Sequence, residues 1–287
     1  MTRDYVGRFA PSPTGPLHFG SLVAAAASFV DARAAGGRWL VRMEDVDTPR
    51  IQPGAADAIL RALDDFGLYW DGPVLYQSDR IAAYDAALET LRSGGAAYPC
   101  GCSRKEIADA RYTGICRAGL RGRHPRAWRV RTGPEVIRFV DRLQGEQQQV
   151  VEEYCGDFIA LRADGLFAYQ LAVVVDDAFQ GITDIVRGAD LLDSTARQIH
   201  LQRLLGYPTP SYLHTPVVVN NDGQKLSKQT LAPGIDSSDA LRLIRDALTF
   251  LGHTPPKELG AVDELWQWAI GNWSVERIPQ TLSQMTS

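Results

Sequence analysis

The chain has 287 residues, with 30 Lys and Arg against 34 Asp and Glu and a formal net charge of −4. That size and composition make one large globular domain, or one with a small insert. With no apolar run near the ~20 residues of a membrane helix, no signal-peptide pattern and four cysteines, three of them clustered, the expectation is a soluble protein of the reducing cytoplasm rather than a membrane protein or a disulfide scaffold.

Tyr5 to Ala10 has the look of a short strand. Pro11, Pro13, Gly15 and Pro16 then exclude both helix and ladder, because proline fixes φ and lacks a donor. From Ser21 to Arg33 the chain is alanine-rich and apolar at helical spacing, and Gly36-Gly37 stops it. Strand, rigid loop and helix N-terminus aim free N–H groups and the positive end of a helix dipole at one point, which suits a polyphosphate. Gly15 and Gly20 let a ligand approach the main chain, and His18 adds a side-chain donor. Neither GxxxxGK[ST] nor GxGxxG is present, so the loop alone is equally compatible with an ordinary βα turn in which His18 caps or packs.

Arg38–Glu44 reads as a second strand. Ligands of open α/β sheets sit beyond the carboxyl ends of strands, so Glu44 is placed to meet a cation such as an amino-acid ammonium. Asp47, before Thr48-Pro49, is expected to cap the next helix. Arg8 is a fork-shaped anion clamp at a strand end; its structural alternative is an ion pair with Glu44. Pro53–Phe66 and Ile81–Ser93 are expected as scaffold helices, with Trp70, Tyr76 and Tyr84 in packing roles.

Cys100-Gly101-Cys102 with Cys116 fourteen residues on has the spacing of zinc ligands, and three thiolates need a fourth donor for a closed structural site. Tyr112, His124 and Cys155 are the candidates. Ser103 and Glu106 form a capping-box pattern between the halves of the site. The negative net charge means that a nucleic acid must be met by a local patch. Arg117, Arg121, Arg123, Arg126, Arg129 and Arg131, with Trp128 among them, supply one. Val136–Asp141 and Val150–Tyr154 read as strands of an antiparallel insert, with Gly145–Gln149 as its turn.

Phe158–Arg162 and Tyr169–Val175 are expected to bring the chain back to the main sheet, followed by a strand or turn at Ile182–Arg187 and helices at Leu191–Leu205 and Ser238–Leu251. Between those helices, Val217–Val219 leads into Asn221-Asp222-Gly223, a tight turn. Lys225-Leu226-Ser227-Lys228-Gln229 then puts two point charges where they can follow a moving phosphate. The tail holds Trp266, Trp268 and Trp273.

His18-Phe19-Gly20-Ser21 resembles the HIGH motif of class I aminoacyl-tRNA synthetases, and Lys225–Gln229 resembles their KMSKS loop. Arg8–Gly15, Val41–Arg50 and Val173–Asp177 with Gly181–Gly188 resemble the glutamyl/glutaminyl branch, in that family's order, from about Tyr5 to about Leu251. The resemblance implies an α/β fold: a Rossmann-like catalytic domain with a zinc-bearing α+β insert and a short helical C-terminal region. It divides the chain into catalytic halves at 1–98 and 158–236, an insert at 99–157 and a helical region at 237–287. It implies His18, Lys225 and Lys228 as catalytic, and His18, Gly20, Ser227 and Lys228 as ATP-binding. Arg8, Phe9, Ala10, Pro11, Ser12, Glu44, Tyr169 and Arg187 would bind glutamate, with Tyr169 near the ammonium and Arg187 on the side-chain carboxylate. It favours Tyr112 as the fourth ligand beside Cys100, Cys102 and Cys116, for one structural Zn²⁺. ATP with Mg²⁺ and L-glutamate would be substrates, and two arginines suit a diacid better than an amide.

A glutamyl-tRNA synthetase would continue into an anticodon-binding domain. The short tail here resembles instead the branch that places glutamate on the cyclopentene-diol of queuosine in tRNA(Asp), acting as a monomer. Charging of a tRNA 3′ end and non-catalytic tRNA binding are the competing expectations.

Overall fold

In the computed structural model, which describes residues 4–107, 111–220, 224 and 234–285, the first strand, β1 (Val6–Phe9), pairs in parallel with β2 (Arg38–Met43), and β2 with β3 (Leu75–Tyr76). The link between β1 and β2 is α1 (Phe19–Ala34), buried over almost its whole length. Ala25, Ala26 and Ala27 are fully buried. A helix apolar all round belongs inside a protein, and these small side chains let its backbone lie close to both sheets. Helices α2 (Ala55–Asp65) and α3 (Ile81–Ser93) form where their periodicity places them.

The second sheet has the order β7-β6-β10-β9, built from β6 (Val136–Asp141), β7 (Gly145–Val150), β9 (Asp184–Gly188) and β10 (Ser211–Thr215). β10 runs parallel to β9 and meets β6 at Tyr212 and Asp141. β9 lies beside β1, where Thr183 N donates to Val6 O at 3.0 Å. From that seam, β2 and β3 extend one way and β10, β6 and β7 the other. This is a topological switch point, the place where an open α/β sheet binds its ligand.

A third sheet, antiparallel, joins β4 (Ala97–Cys100), β5 (Ala127–Val130) and β8 (Phe158–Leu161). Also present are α4 (Val151–Tyr154), α5 (Tyr169–Phe179), α6 (Thr195–Leu205), α7 (Ala240–Phe250) and α8 (Val262–Asn272). A parallel pair is made by β11 (Val217–Val219) and β12 (Ser283–Met285). Among the described residues no helix is long and apolar enough to cross a membrane.

Three expectations change. Tyr169–Val175 is the start of helix α5, buried from Leu171 to Asp177; a helix enclosed on all sides has the same unbroken apolar run as a buried strand. Gly145–Gln149 is strand, with Val151–Tyr154 helical. The turn lies earlier because Asp141 Oδ1 accepts from Leu143 N (3.0 Å) and Gln144 N (2.8 Å), an Asx turn. The hairpin it closes is an extension of the second sheet.

The C-terminal tryptophans fasten this core. Trp266 Nε1 donates to Phe66 O at 2.8 Å, and its ring meets Phe29 edge-on. Trp273 Nε1 donates to Asp31 Oδ1 at 2.9 Å. Asp31, buried on α1, also accepts from Tyr5 OH and from both terminal nitrogens of Arg142, at 2.6 and 2.9 Å. One carboxylate thus joins α1, the N-terminal segment, the β6–β7 turn and the tail. Asp31→Ala orphans these donors and is expected to lower unfolding free energy by about 2–3 kcal/mol, measured as a shift in the urea midpoint at unchanged slope.

Candidate active site

The seam between β1 and β9 opens into a cavity of about 490 Å³. Arg8, Phe9, Ala10, Pro11, Ser12, His18, Gly20, Glu44, Tyr169 and Arg187 all line it. They come from the end of β1, the loop after it, the N-terminus of α1, the end of β2, the first residue of α5 and β9. The sequence separates Arg8 from Arg187 by most of the chain; the switch point puts them on one wall.

His18 is the N-cap of α1, and its Nδ1 accepts from Ser21 N at 3.3 Å. That bond leaves Nε2 as the protonated nitrogen of the neutral ring. The capping role and a place in the cavity therefore coexist. His18 also forms an antiparallel bridge with Gly234, and Ile235 N donates to Leu17 O at 2.9 Å. Lys225, Ser227 and Lys228 lie outside the described residues. Of the segments flanking them, Val217 and Val218 line the cavity and Gly234 is bridged to His18.

Arg8 pairs with Asp177, at 3.2 Å from Nε, rather than with Glu44. Its terminal nitrogens make no hydrogen bond to a described residue, so they remain available to an anion. Arg42 also holds Asp177, at 2.9 Å, and reaches Glu44 at 3.3 Å. Burial opposes the charge on Asp177, but Arg42 and Arg8 outweigh it and hold its carboxyl below the usual range. Glu44 goes the other way: burial pushes its pKa up, and Arg42 and Arg8 offset this only in part. Burial, then the nearby Glu44, raise the Tyr169 phenol, which stays protonated.

Arg187 is 5% exposed. Its Nε donates to His214 Nε2 at 3.0 Å and its NH2 to Thr195 Oγ1 at 2.9 Å, while NH1 is buried with no partner among the described residues. A buried guanidinium nitrogen left unpaired beside a cavity costs free energy unless a ligand accepts from it. Gly188 follows; a Cβ there would sit 2.5 Å from Asp190 Oδ1, so a side chain at 188 would make Asp190 shift. The sequence reading missed Arg42, Asp177, His214 and Asp141. Its only signal for Asp177 was the Val173–Asp177 motif, which it quoted without assigning a role.

Asp47 does not cap by its side chain. It binds Arg50 Nε at 2.6 Å and Arg162 NH1 at 3.1 Å.

A second cluster lies where β4 ends. The Sγ atoms of Cys100, Cys102 and Cys116 are within 4.8 Å of one another. Tyr112 OH is 3.4 Å from Cys100 Sγ and 3.7 Å from Cys102 Sγ, and the Sγ atoms of Cys102 and Cys116 are 3.6 Å apart. Tetrahedral zinc with these donors needs ligand separations of about 3.5–3.8 Å, so the set fits. The alternatives do not: His124 is exposed, and Cys155 Sγ turns to the carbonyls of Val151 and Gly156. Arg129 Nε (3.4 Å from Cys100 Sγ) and Arg123 NH1 (3.3 Å from Cys102 Sγ) bring positive charge to this thiolate set.

That geometry corrects the arginine-rich patch. Arg129 is buried on the cluster, Arg123 pairs with Glu106, and Arg117 pairs with Asp157 and Glu152. Arg131 binds the carbonyls of Gly95 and Arg117, and Trp128 lies under Arg92. Arg121 and Arg126 are the exposed members.

A family model described as tRNA synthetases class I (E and Q), catalytic domain, matches residues 5–258. The chain is 59% identical over 285 residues to a glutamyl-Q tRNA(Asp) synthetase of Thiobacillus denitrificans, covering 96% of this chain and 95% of that one. It is 57% identical over 289 residues to the protein of the same name from Aromatoleum aromaticum, covering 97% and 91%. Its fold is similar to that of a glutamate tRNA ligase from Elizabethkingia meningosepticum, crystallised with its amino acid, with a TM-score of 0.80 at 24% identity over 99% of this chain and 67% of that one.

Gly156 bridges Tyr112 with φ +68, and a Cβ there would overlap the Tyr112 carbonyl. Gly156→Ala is therefore expected to displace the phenol and to lower retained divalent metal, read by elemental analysis after dialysis, with α-helical circular dichroism preserved.

Proposed function

Since the chain belongs to the class I tRNA synthetase catalytic-domain family for glutamate and glutamine, and within it to the glutamyl-Q tRNA(Asp) synthetases, we propose that this ligase activates L-glutamate with ATP, without tRNA, and transfers it to the cyclopentene-diol of queuosine at the wobble position of tRNA(Asp). One observation carries the substrate assignment. A single cavity holds two arginines, Arg8 and Arg187, the second with a buried NH1 that has no partner among the described residues, and a carboxylate, Glu44, against the capped N-terminus of α1.

The two guanidiniums and the carboxylate match an amino acid with two carboxylates and one ammonium. Arg187 NH1 takes the side-chain carboxylate, Arg8 a substrate carboxylate, and Glu44 with the Tyr169 hydroxyl the ammonium. The substrate carboxylate attacks the α-phosphorus of ATP, a bond to pyrophosphate breaks, and glutamyl-adenylate forms. No covalent nucleophile is needed; positioning and charge neutralisation carry the step. The N–H groups of α1, Gly20 and the Nε2–H of His18 face the phosphates. Lys225, Ser227 and Lys228 close on the leaving pyrophosphate, a role supported by the flanking segments at the cavity and at His18. Mg²⁺ enters with ATP. A queuosine hydroxyl then attacks the activated carbonyl, forming the glutamyl ester as the bond from carbonyl carbon to phosphate oxygen breaks; AMP leaves and the hydroxyl proton is released.

Cys100, Cys102, Tyr112 and Cys116 hold one structural Zn²⁺, which stabilises the segment carrying the exposed Arg121 and Arg126 toward the RNA. The working partition keeps catalytic halves at 1–98 and 158–236 around 99–157, with 237–287 as helical support, in a cytoplasmic monomer.

Glutamate-dependent ATP–pyrophosphate exchange without any tRNA is the expected result, followed by transfer of labelled glutamate to queuosine-containing tRNA(Asp). Exchange that requires tRNA(Glu) would instead indicate charging of a 3′ end, and no exchange under any condition a binding protein. Glutamate affinity should also fall on the acid side earlier than an ordinary carboxylate would dictate. Glu44 binds an ammonium only when ionised, and its pKa is raised, so affinity is full above that value and lost as pH falls through it. In Glu44→Gln the KM for glutamate should be raised at pH above that pKa, approach the wild-type value below it, and so lack this acid limb.

A further inference from the structure

Behind the cavity wall, Asp141 on β6 and His214 on β10 form a buried line that ends on Arg187. Asp141 Oδ2 is 2.6 Å from His214 Nδ1, and His214 Nε2 is 3.0 Å from Arg187 Nε. Asp141 is 1% exposed and His214 fully buried. Neither residue lines the cavity, so neither touches the substrate.

We propose that Asp141 and His214 are positioning residues that select for a dicarboxylic substrate: Asp141 holds His214 as the Nδ1-protonated tautomer, so that its Nε2 lone pair anchors Arg187 with NH1 turned to the substrate's side-chain carboxylate. The inference rests on the proposed role of Arg187.

The hydrogen-bond count carries it. An arginine Nε–H can only donate, so the His214 Nε2 facing it must accept. A neutral ring with an accepting Nε2 has its proton on Nδ1, where the Asp141 carboxylate receives it. On the other branch, Arg187 NH2 is taken by Thr195 Oγ1, with Leu191 O at 3.4 Å. Nε and NH2 are thereby both held by protein, which fixes the guanidinium plane and leaves NH1 as the nitrogen without a partner among the described residues. An imidazolium at this position would point an N–H at a guanidinium; burial first, opposed by the bond to Asp141, brings the His214 pKa down to about 4, so the ring stays neutral at working pH.

The orientation of Asp141 is fixed as well. Its Oδ1 accepts from Leu143 N (3.0 Å), Gln144 N (2.8 Å) and His214 N (3.2 Å). Three backbone donors converge on that oxygen, so an asparagine there must place its carbonyl at the Oδ1 position. Its amide nitrogen then faces His214 Nδ1 and donates to it. The ring proton moves to Nε2, and N–H meets N–H where His214 and Arg187 touch. One isosteric substitution thus inverts the tautomer and removes the anchor of Arg187 without emptying the core.

The experiment measures wild type, Asp141→Asn and Arg187→Ala by ATP–pyrophosphate exchange with glutamate and with glutamine, and by ¹⁵N-detected imidazole shifts of His214. The expected result is an Nδ1-protonated His214 in wild type and an Nε2-protonated ring in a folded Asp141→Asn. In that variant the KM for glutamate should rise about tenfold or more, with the KM for ATP unchanged and the preference for glutamate over glutamine reduced. A wild-type ring protonated on Nε2 overturns the proposal, and so does an inverted tautomer with an unchanged glutamate KM. If Asp141→Asn does not fold, the wild-type spectrum still decides: an Nδ1 proton supports the anchor and an Nε2 proton overturns it. An Arg187→Ala enzyme with unaltered glutamate KM would defeat the substrate role of Arg187 itself, a failure separate from that of the tautomer.

Discussion

The β1 and β2 side of the cavity is hung from Asp177. This carboxylate on α5 holds Arg8 at the end of β1 and Arg42 within β2, and Arg42 in turn reaches Glu44. Burying three or four charges is costly, several kcal/mol for each ion even after relaxation, and the mutual attraction only roughly offsets it. Such a network adds little net stability compared with an apolar core. What it provides is position: two strands and a helix are registered against one another by groups that cannot slip without stranding a charge. Asp176, the neighbouring residue, does the same for the surrounding scaffold through Gln77, Arg80 and Tyr84.

The signs of the side chains around the cavity follow from this arrangement. Asp177 is held ionised by two guanidiniums, so Arg8, which lines the cavity, is partly neutralised through its Nε. Glu44 shares Arg42 with Asp177 and is left under-compensated, which is why its pKa rises while that of Asp177 falls. A cationic ligand group supplies the missing compensation. Across the β1–β9 seam, Arg187 is held by neutral partners, His214 and Thr195, rather than by a carboxylate. The site therefore has an acidic spot and two basic ones before any ligand enters.

Much of this was legible in the chain, for identifiable reasons. The proline-rich loop after β1 and the alanine run of α1 leave few conformations open, so the strand–loop–helix unit and the place of His18 and Gly20 followed directly. The Cys100, Cys102, Cys116 spacing located the second cluster. The failures are physical too. Leu171–Val175 has no amphipathic period because α5 is enclosed on every side, so helix and strand look alike there. The turn before β7 hid because Asp141, a strand residue, supplies its hydrogen bonds. Arginines such as Arg117 and Arg129 count as surface charge in composition, yet their acidic and sulfur partners come from distant segments. No local pattern marks His214, which matters only because β10 lies next to β9 and β6.

The pairing of β11 with β12 links Ser283–Met285 to the wall of the cavity. Val217 and Val218 line that wall, and Val217–Val219 is hydrogen-bonded to Ser283–Met285. Trimming back past residue 283 would leave β11 with an unsatisfied ladder edge at the cavity wall, and a bulky group joined there would press on the same strand. Ser283–Met285 is thus a poor site for an attached tag or a surface linkage, even though it lies far along the chain from His18 and Arg8.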